Sequence, residues 1–139
     1  DTPAKAKDGV EKMVAVAKKL AGGDIRAMAG GIRGQLNADK TEMVVDTKLT
    51  GWIEEPLVTA LAKKLKTTVY LENDAALAGV GEANYGAGVG ADIVVYHTVS
   101  TGVGGAKIEQ GVIDDYHTGF GIWLGYTTSF SRNPARALG

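Results

Sequence analysis

An α/β layer architecture with partly parallel strand pairing is the fold class this sequence predicts, and three observations predict it. Helix-period and strand-period segments alternate along 139 residues, the pattern that lays helices against a sheet. Two apolar, β-like runs end in turns that carry chemistry: Leu71-Glu72-Asn73-Asp74-Ala75 and, further on, Ser100-Thr101-Gly102-Val103-Gly104-Gly105. Of the 20 glycines, 12 fall between Gly79 and Gly125, so the backbone there must turn tightly or approach a neighbour closely.

The elements follow in order. Val10, Met13, Val14, Ala17, Leu20 and Ala21 recur at three- and four-residue spacing, which predicts a helix from Asp8 to Leu20. Asp8 and Glu11 are spaced as a capping box, and Gly22-Gly23 is a stop signal. Ile25–Ala29 and Met43–Val45 are short strand candidates. A second helix is expected from Glu54 to Lys66, with Pro56 in its first turn and Leu57, Leu61 and Leu65 on one face. Thr67–Leu71 is β-branched and aromatic, the composition of a buried strand. Asp74–Tyr85 reads as a helix despite Gly79 and Gly81, each costing about 1 kcal/mol; both are expected to let it lie close to a neighbouring backbone. Asp92–Val99 is the strongest strand signal. Ala106–Glu109 and Val112–Ile113, separated by Gln110-Gly111, read as a hairpin. Gly86-Ala87-Gly88-Val89-Gly90 is the expected hinge or lobe boundary.

Composition narrows the partners. Hydrophobic residues at 45% and charged ones at 22% are those of an ordinary soluble globular domain. With 15 basic against 16 acidic residues, there is no basic field to invite nucleic acid and no polybasic block to invite a membrane. Cysteine is absent, which excludes disulfides and thiolate chemistry and suits a reducing cytoplasm. No apolar run reaches the roughly 20 residues that span a bilayer, and no signal peptide is visible.

The two motifs suggest phosphoryl transfer to an alcohol. A sugar hydroxyl has a high pKa, so its phosphorylation is helped by a carboxylate that accepts its proton. Asp74, at the carboxyl end of a strand, would face the crevice where open α/β sheets bind ligands, with Asn73 and Glu72 beside it. Asn-Asp between strand and helix serves equally well as a helix cap. In the second motif, glycines free backbone N–H groups to turn toward phosphate oxygens, and Ser100 and Thr101 add hydroxyls; the alternative is a tight hairpin with no ligand. The turn has no Gly-Lys-Ser/Thr ending and is not a P-loop. His97 reads as a core or edge residue and His117 as part of a solvated turn, so no metal site is expected.

Taken together, the motifs resemble the ROK family (repressors, open reading frames, kinases). Leu71–Ala75 followed by Gly81-Glu82-Ala83 and Gly86-Ala87-Gly88 is similar to its sugar-kinase signature. Val99–Gly105 is similar to its second phosphate loop, Asp92–Tyr96 to the intervening strand, Gly31-Ile32-Arg33-Gly34 to its Gly-Ile-Pro-Gly turn, and Thr50-Gly51-Trp52 to the segment before its next helix. The resemblance runs from about residue 8 to 120. It implies an actin-like ATPase, ribonuclease-H-like fold, two lobes closing over ATP, Mg and a hexose or amino sugar. It implies Asp74 as the base and Asn73, Glu72, Gly31 and Gly34 as sugar contacts. Ser100, Thr101, Gly102, Gly104 and Gly105 would meet the phosphates. Residues 1–90 would form a first lobe truncated at its start, 91–120 the first strands of the second, and 121–139 a divergent tail.

Departures from the family pattern set further expectations. The chain starts after the family's Asp-x-Gly-Gly-Thr loop. Arg33 replaces a proline, and Lys48 stands where a sugar-contacting asparagine is common. After Phe120 the Glu-x-Gly-His element is replaced by Gly121-Ile122-Trp123-Leu124-Gly125. Losing one preorganised phosphate donor commonly costs 10²–10³ in rate, so little kinase turnover is expected from this chain alone. One alternative is a non-catalytic fragment that folds and self-associates as a homodimer, through an uncovered sheet edge or the aromatics Phe120, Trp123, Tyr126 and Phe130. Another is the effector domain of a ROK repressor.

Overall fold

The computed structural model describes residues 1–46, 48–99 and 103–114, and packing divides the chain into two units, Asp1–Asn73 and Asp74–Gly139. In the first, helix α1 (Ala6–Ala21) buries Ala6, Val10 and Val14 at helical spacing. It begins ahead of Asp8, with Lys5 extended before it and no side chain capping its first N–H groups. Asp8 therefore complements the helix dipole from within the first turn, and the expected capping box does not form. At the far end Gly22 takes φ 61° and donates its N–H to Lys18 O, the left-handed stop that the Gly-Gly pair predicts.

Helix α2 (Leu57–Leu65) buries all three leucines of its predicted face. Full burial of one such side chain is worth about 1.5–3 kcal/mol, so this face anchors the helix. Pro56 precedes the helix instead of lying in its first turn, and Lys66 closes it with φ 55°. Strands β1 (Ala27–Ile32) and β4 (Thr68–Asn73) run parallel, in register from Ala27 opposite Thr68 to Ile32 opposite Asn73. Val69 and Leu71 of β4 face the core, while Tyr70 between them is exposed, the period of two expected of a half-covered strand. The sequence signal for β1 ended at Ala29; the strand in fact extends through the glycines to Ile32. A two-residue strand not legible in the sequence, β2 (Gln35–Leu36), forms an antiparallel ribbon with β3 (Met43–Val45), and Met43 is fully buried. A 3-10 turn at Thr50–Trp52 drops the Trp52 ring into the same core, where its Nε1–H donates to Pro3 O at 2.9 Å.

In the second unit, helix α3 (Asp74–Tyr85) lies on an antiparallel sheet of β5 (Ile93–Val99), β6 (Val103–Glu109) and β7 (Val112–Ile113), in that order. Ala76, Ala83, Ala106 and Ile108 form its buried centre, with Val80, Val94, Tyr96 and Ile113 around them. Gly79 shows why a glycine interrupts this helix: a methyl there would lie 2.7 Å from Ile108 Cδ1 and 3.0 Å from Tyr96 Cβ. Gly81 does not share that role, because it has nothing within 4 Å. Gln110 and Gly111 both have positive φ, 51° and 79°, as a type I′ hairpin turn requires. His97 is exposed on β5, an end strand of the sheet. Gly86–Gly90 lie within this second unit, between α3 and β5, whereas the division by packing falls between Asn73 and Asp74. No helix among the described residues is long and apolar enough to cross a membrane. The four tail aromatics lie outside the described residues.

Candidate functional site

Parallel pairing of β1 with β4 brings the first group of expected site residues together. Gly31 stands opposite Glu72 and Ile32 opposite Asn73. The chain then turns at Gly34, which is buried with φ 92°. A methyl at Gly34 would lie 2.7 Å from Val45 O and 3.2 Å from Asp46 Cβ. Both the backbone angle and the space thus demand glycine. Asn73 closes the group by donating its Nδ2–H to Gly34 O at 2.9 Å.

This turn is held from outside by a carboxylate that carried no sequence signal of its own. Asp46 accepts a hydrogen bond from Arg33 Nε at 2.6 Å and from the backbone N–H groups of Lys48 and Leu49. Its side chain is only 2% exposed, against 48% for Arg33. Burial disfavours its charge, but the Leu49 N–H, the Arg33 guanidinium and the Lys48 N–H outweigh that and hold its pKa below the ordinary 3.8. Arg33, in the place of the resembled family's proline, thus ties the turn by an ion pair where a ring would stiffen it covalently. The local pattern that could have revealed Asp46 is an aspartate accepting N–H groups two and three residues ahead, an Asx turn. A depressed folded pKa gives stability that is present above the unfolded value and lost as pH falls through the folded one. Asp46→Asn should therefore lower stability at pH 6 and make it less sensitive to acidification below about 3.8. Urea unfolding of parent and variant at pH 6 and pH 3 measures this; equal losses at both pH values would contradict it.

Glu72 occupies both its oxygens with protein donors. Oε1 accepts the Asn73 N–H at 2.8 Å, and Oε2 receives Lys40 Nζ. Lys48, at the position of the family's asparagine, is exposed, and its backbone N–H donates to Asp46 Oδ1.

Asp74 is the next residue in the chain and belongs to the second unit. It opens α3, is exposed, and accepts the Ala75 N–H at 2.9 Å. Asp74 thus stands in the first turn of the helix, where its charge complements the dipole, and the carboxylate faces solvent. Gly104 and Gly105 lie in β6, opposite Thr98 and His97. A methyl on Gly104 would come within 3.1 Å of the Ala75 Cβ, so packing against α3 already accounts for a glycine there. Ser100, Thr101 and Gly102 lie outside the described residues. Among the described residues no group of three His, Cys, Asp or Glu side chains could hold a metal ion.

A model of the ROK family matches residues 1–128. Glucokinase of Thermotoga maritima is 37% identical over 83 residues, 60% of this chain and 26% of that protein. The xylose repressor of Bacillus subtilis is 29% identical over 106 residues, 73% of this chain and again 26% of the relative. The chain thus spans about a quarter of the length of these curated relatives. Among solved structures, a ROK family glucokinase from Streptomyces griseus in complex with glucose and AMPPNP superposes with a TM-score of 0.70 at 32% identity. That match covers 81% of this chain and 36% of the glucokinase. The α/β units described above are accordingly part of the actin-like ATPase fold of these kinases.

Proposed function

Because the chain belongs to the ROK family, we propose that it serves the ATP-dependent phosphorylation of a hexose or amino-sugar hydroxyl. One observation carries the reading. Asn73, tied through its amide to the Gly34 turn, is followed directly by Asp74, whose carboxylate is exposed at the start of a helix. Asn73 and the Gly31–Gly34 turn hold sugar hydroxyls. Asp74 accepts the proton of the reacting hydroxyl as its oxygen bonds to the γ-phosphorus of ATP; the bond to the bridging oxygen breaks and ADP leaves. The proton then passes from Asp74 to solvent. Ser100, Thr101, Gly102, Gly104 and Gly105 are assigned to the phosphates. Magnesium, when bound with the nucleotide, would offset phosphate charge. A cytoplasmic setting suits ATP as donor, and a homodimer fits the edge of β1, which pairs only with β4 among the described residues.

The test is titration of the chain with glucose, mannose, fructose and N-acetylmannosamine, together with transfer of labelled phosphate from ATP to each. Saturable binding of one sugar, with label recovered in its phosphate ester, supports the reading; absence of binding by all four removes it. The likeness to a xylose repressor favours a second reading, a sugar-sensing domain. Xylose binding without any transfer would select that one.

A further inference from the structure

We propose that Lys40 is a positioning residue for Asn73, acting through the Glu72 carboxylate; the inference rests on the reading of Asn73 as a sugar contact. Asn73 ends β4, where the ladder with β1 also ends. Its amide donates to Gly34 O, and the peptide that carries it is oriented by the bond from the Asn73 N–H to Glu72 Oε1. That bond joins adjacent residues, so it fixes the peptide only if the carboxylate is itself fixed. Lys40 supplies that restraint from 32 residues away, by donating to the other carboxylate oxygen.

The turn that carries Lys40 is built for rigidity. Asn37 Oδ1 accepts the N–H groups of Thr41 and Glu42 at 2.8 and 3.2 Å, its Nδ2 donates to Thr41 Oγ1 at 2.9 Å, and its carbonyl accepts the Lys40 N–H at 2.9 Å. Lys40 itself is held at φ 55°, a conformation a lysine adopts only when its surroundings impose it. The ion pair is largely withdrawn from water, with 30% of the Lys40 side chain and 19% of Glu72 exposed, so screening weakens it less than it would an open surface pair. This places Glu72 behind Asn73 as its support, in preference to the sugar contact the family resemblance implies.

The experiment compares the parent chain with Lys40→Gln, Lys40→Arg and Glu72→Gln. It reads the Asn73 backbone amide by NMR shift and hydrogen exchange, the dissociation constant for glucose, and the melting temperature. Lys40→Gln should move the Asn73 amide, speed its exchange and weaken glucose binding about 5- to 20-fold, the size of a charge-assisted bond discounted for partial exposure. Lys40→Arg, which keeps a donor within reach of Glu72, should restore amide and affinity together, a rescue that does not follow melting temperature. An unmoved Asn73 amide in Lys40→Gln overturns the proposal. So does an affinity loss that Lys40→Arg fails to rescue. If the parent binds another of the four sugars but not glucose, that sugar is the probe; if it binds none of them, the sugar reading falls by itself and the amide measurements alone decide the Lys40 role. Should Lys40→Gln unfold the first unit, seen as loss of its dispersed spectrum, Glu72→Gln decides by the same amide criterion.

Discussion

Asp74→Asn is expected to leave sugar binding within about threefold of the parent and to cut phosphoryl transfer by about 10²–10⁴-fold, the contribution typical of a positioned general base. At 1.36 kcal/mol per decade that is about 3–5 kcal/mol of transition-state stabilisation. The substitution is well matched in shape. The asparagine Oδ1 can still accept the Ala75 N–H that Asp74 accepts at 2.9 Å, so the start of α3 keeps its hydrogen bond. What disappears is a group able to take the hydroxyl proton. Asn73 is anchored to Gly34 and Glu72 in the first unit, and a change at Asp74 touches neither bond. A drop in kcat with little change in sugar affinity is therefore the signature sought in single-turnover transfer assays. Transfer by the variant at the parental rate would take Asp74 out of the proposed chemistry.

The largest structural effect is expected at Gly9, in the first turn of α1. Replacing an interior helical glycine by alanine ordinarily gains about 1 kcal/mol. Here the sign should reverse, because a methyl at Gly9 would lie 2.1 Å from Trp52 Cη2 and 2.2 Å from Cζ2. The indole has little room to retreat. It is buried at 4% exposure, and its Nε1–H is committed to Pro3 O at 2.9 Å. Overpacking costs about 1–3 kcal/mol and an orphaned buried donor about 1–3 kcal/mol more. Net of the helix gain, Gly9→Ala should destabilise by about 1–5 kcal/mol. Gly81→Ala supplies the contrast: with open space around it, it should stabilise by about 0.5–1 kcal/mol. Urea unfolding followed by circular dichroism measures both. A stabilised Gly9 variant would mean that Trp52 does not lie against α1 as described.

What the sequence made legible was periodic. The spacing of Leu57, Leu61 and Leu65, the strand-forming run of β5 and the Gln110-Gly111 turn each express one local rule, and each element appears in the structure. Helix starts were less legible, because α1 begins without any side-chain cap and Asp8 and Glu11 have capping spacing without capping geometry. β2 was illegible because two residues carry no period. The glycines of α3 looked alike in the sequence, yet only Gly79 is pressed by a neighbour; the difference lies in which face meets Ile108 and Tyr96. The candidate site divides in the same way. Asn73, Asp74 and the Gly31–Gly34 turn stood out through their motifs. Asp46 and Lys40, which hold that turn and Glu72, did not: the Asx turn of Asp46 is local, but the ion pairs that tie Arg33 and Glu72 join residues 13 and 32 apart in sequence, and no local rule links those.

The boundary between Asn73 and Asp74 has one more consequence. Among the described residues, the core that secures Asn73 is built on Trp52, Met43 and five leucine and valine side chains from α1 and α2, with Val69 and Leu71 from β4. The described part of the centre that secures Asp74 is built on three alanines and one isoleucine. Buried apolar area scales with side-chain size, and regions with less of it open first. The residue assigned to hold the sugar and the residue assigned to take its proton are consecutive in the chain but, among the described residues, rest on apolar centres built from side chains of unequal size. Among the described residues, recognition thus stands on the bulkier footing, and reactivity on the slighter one.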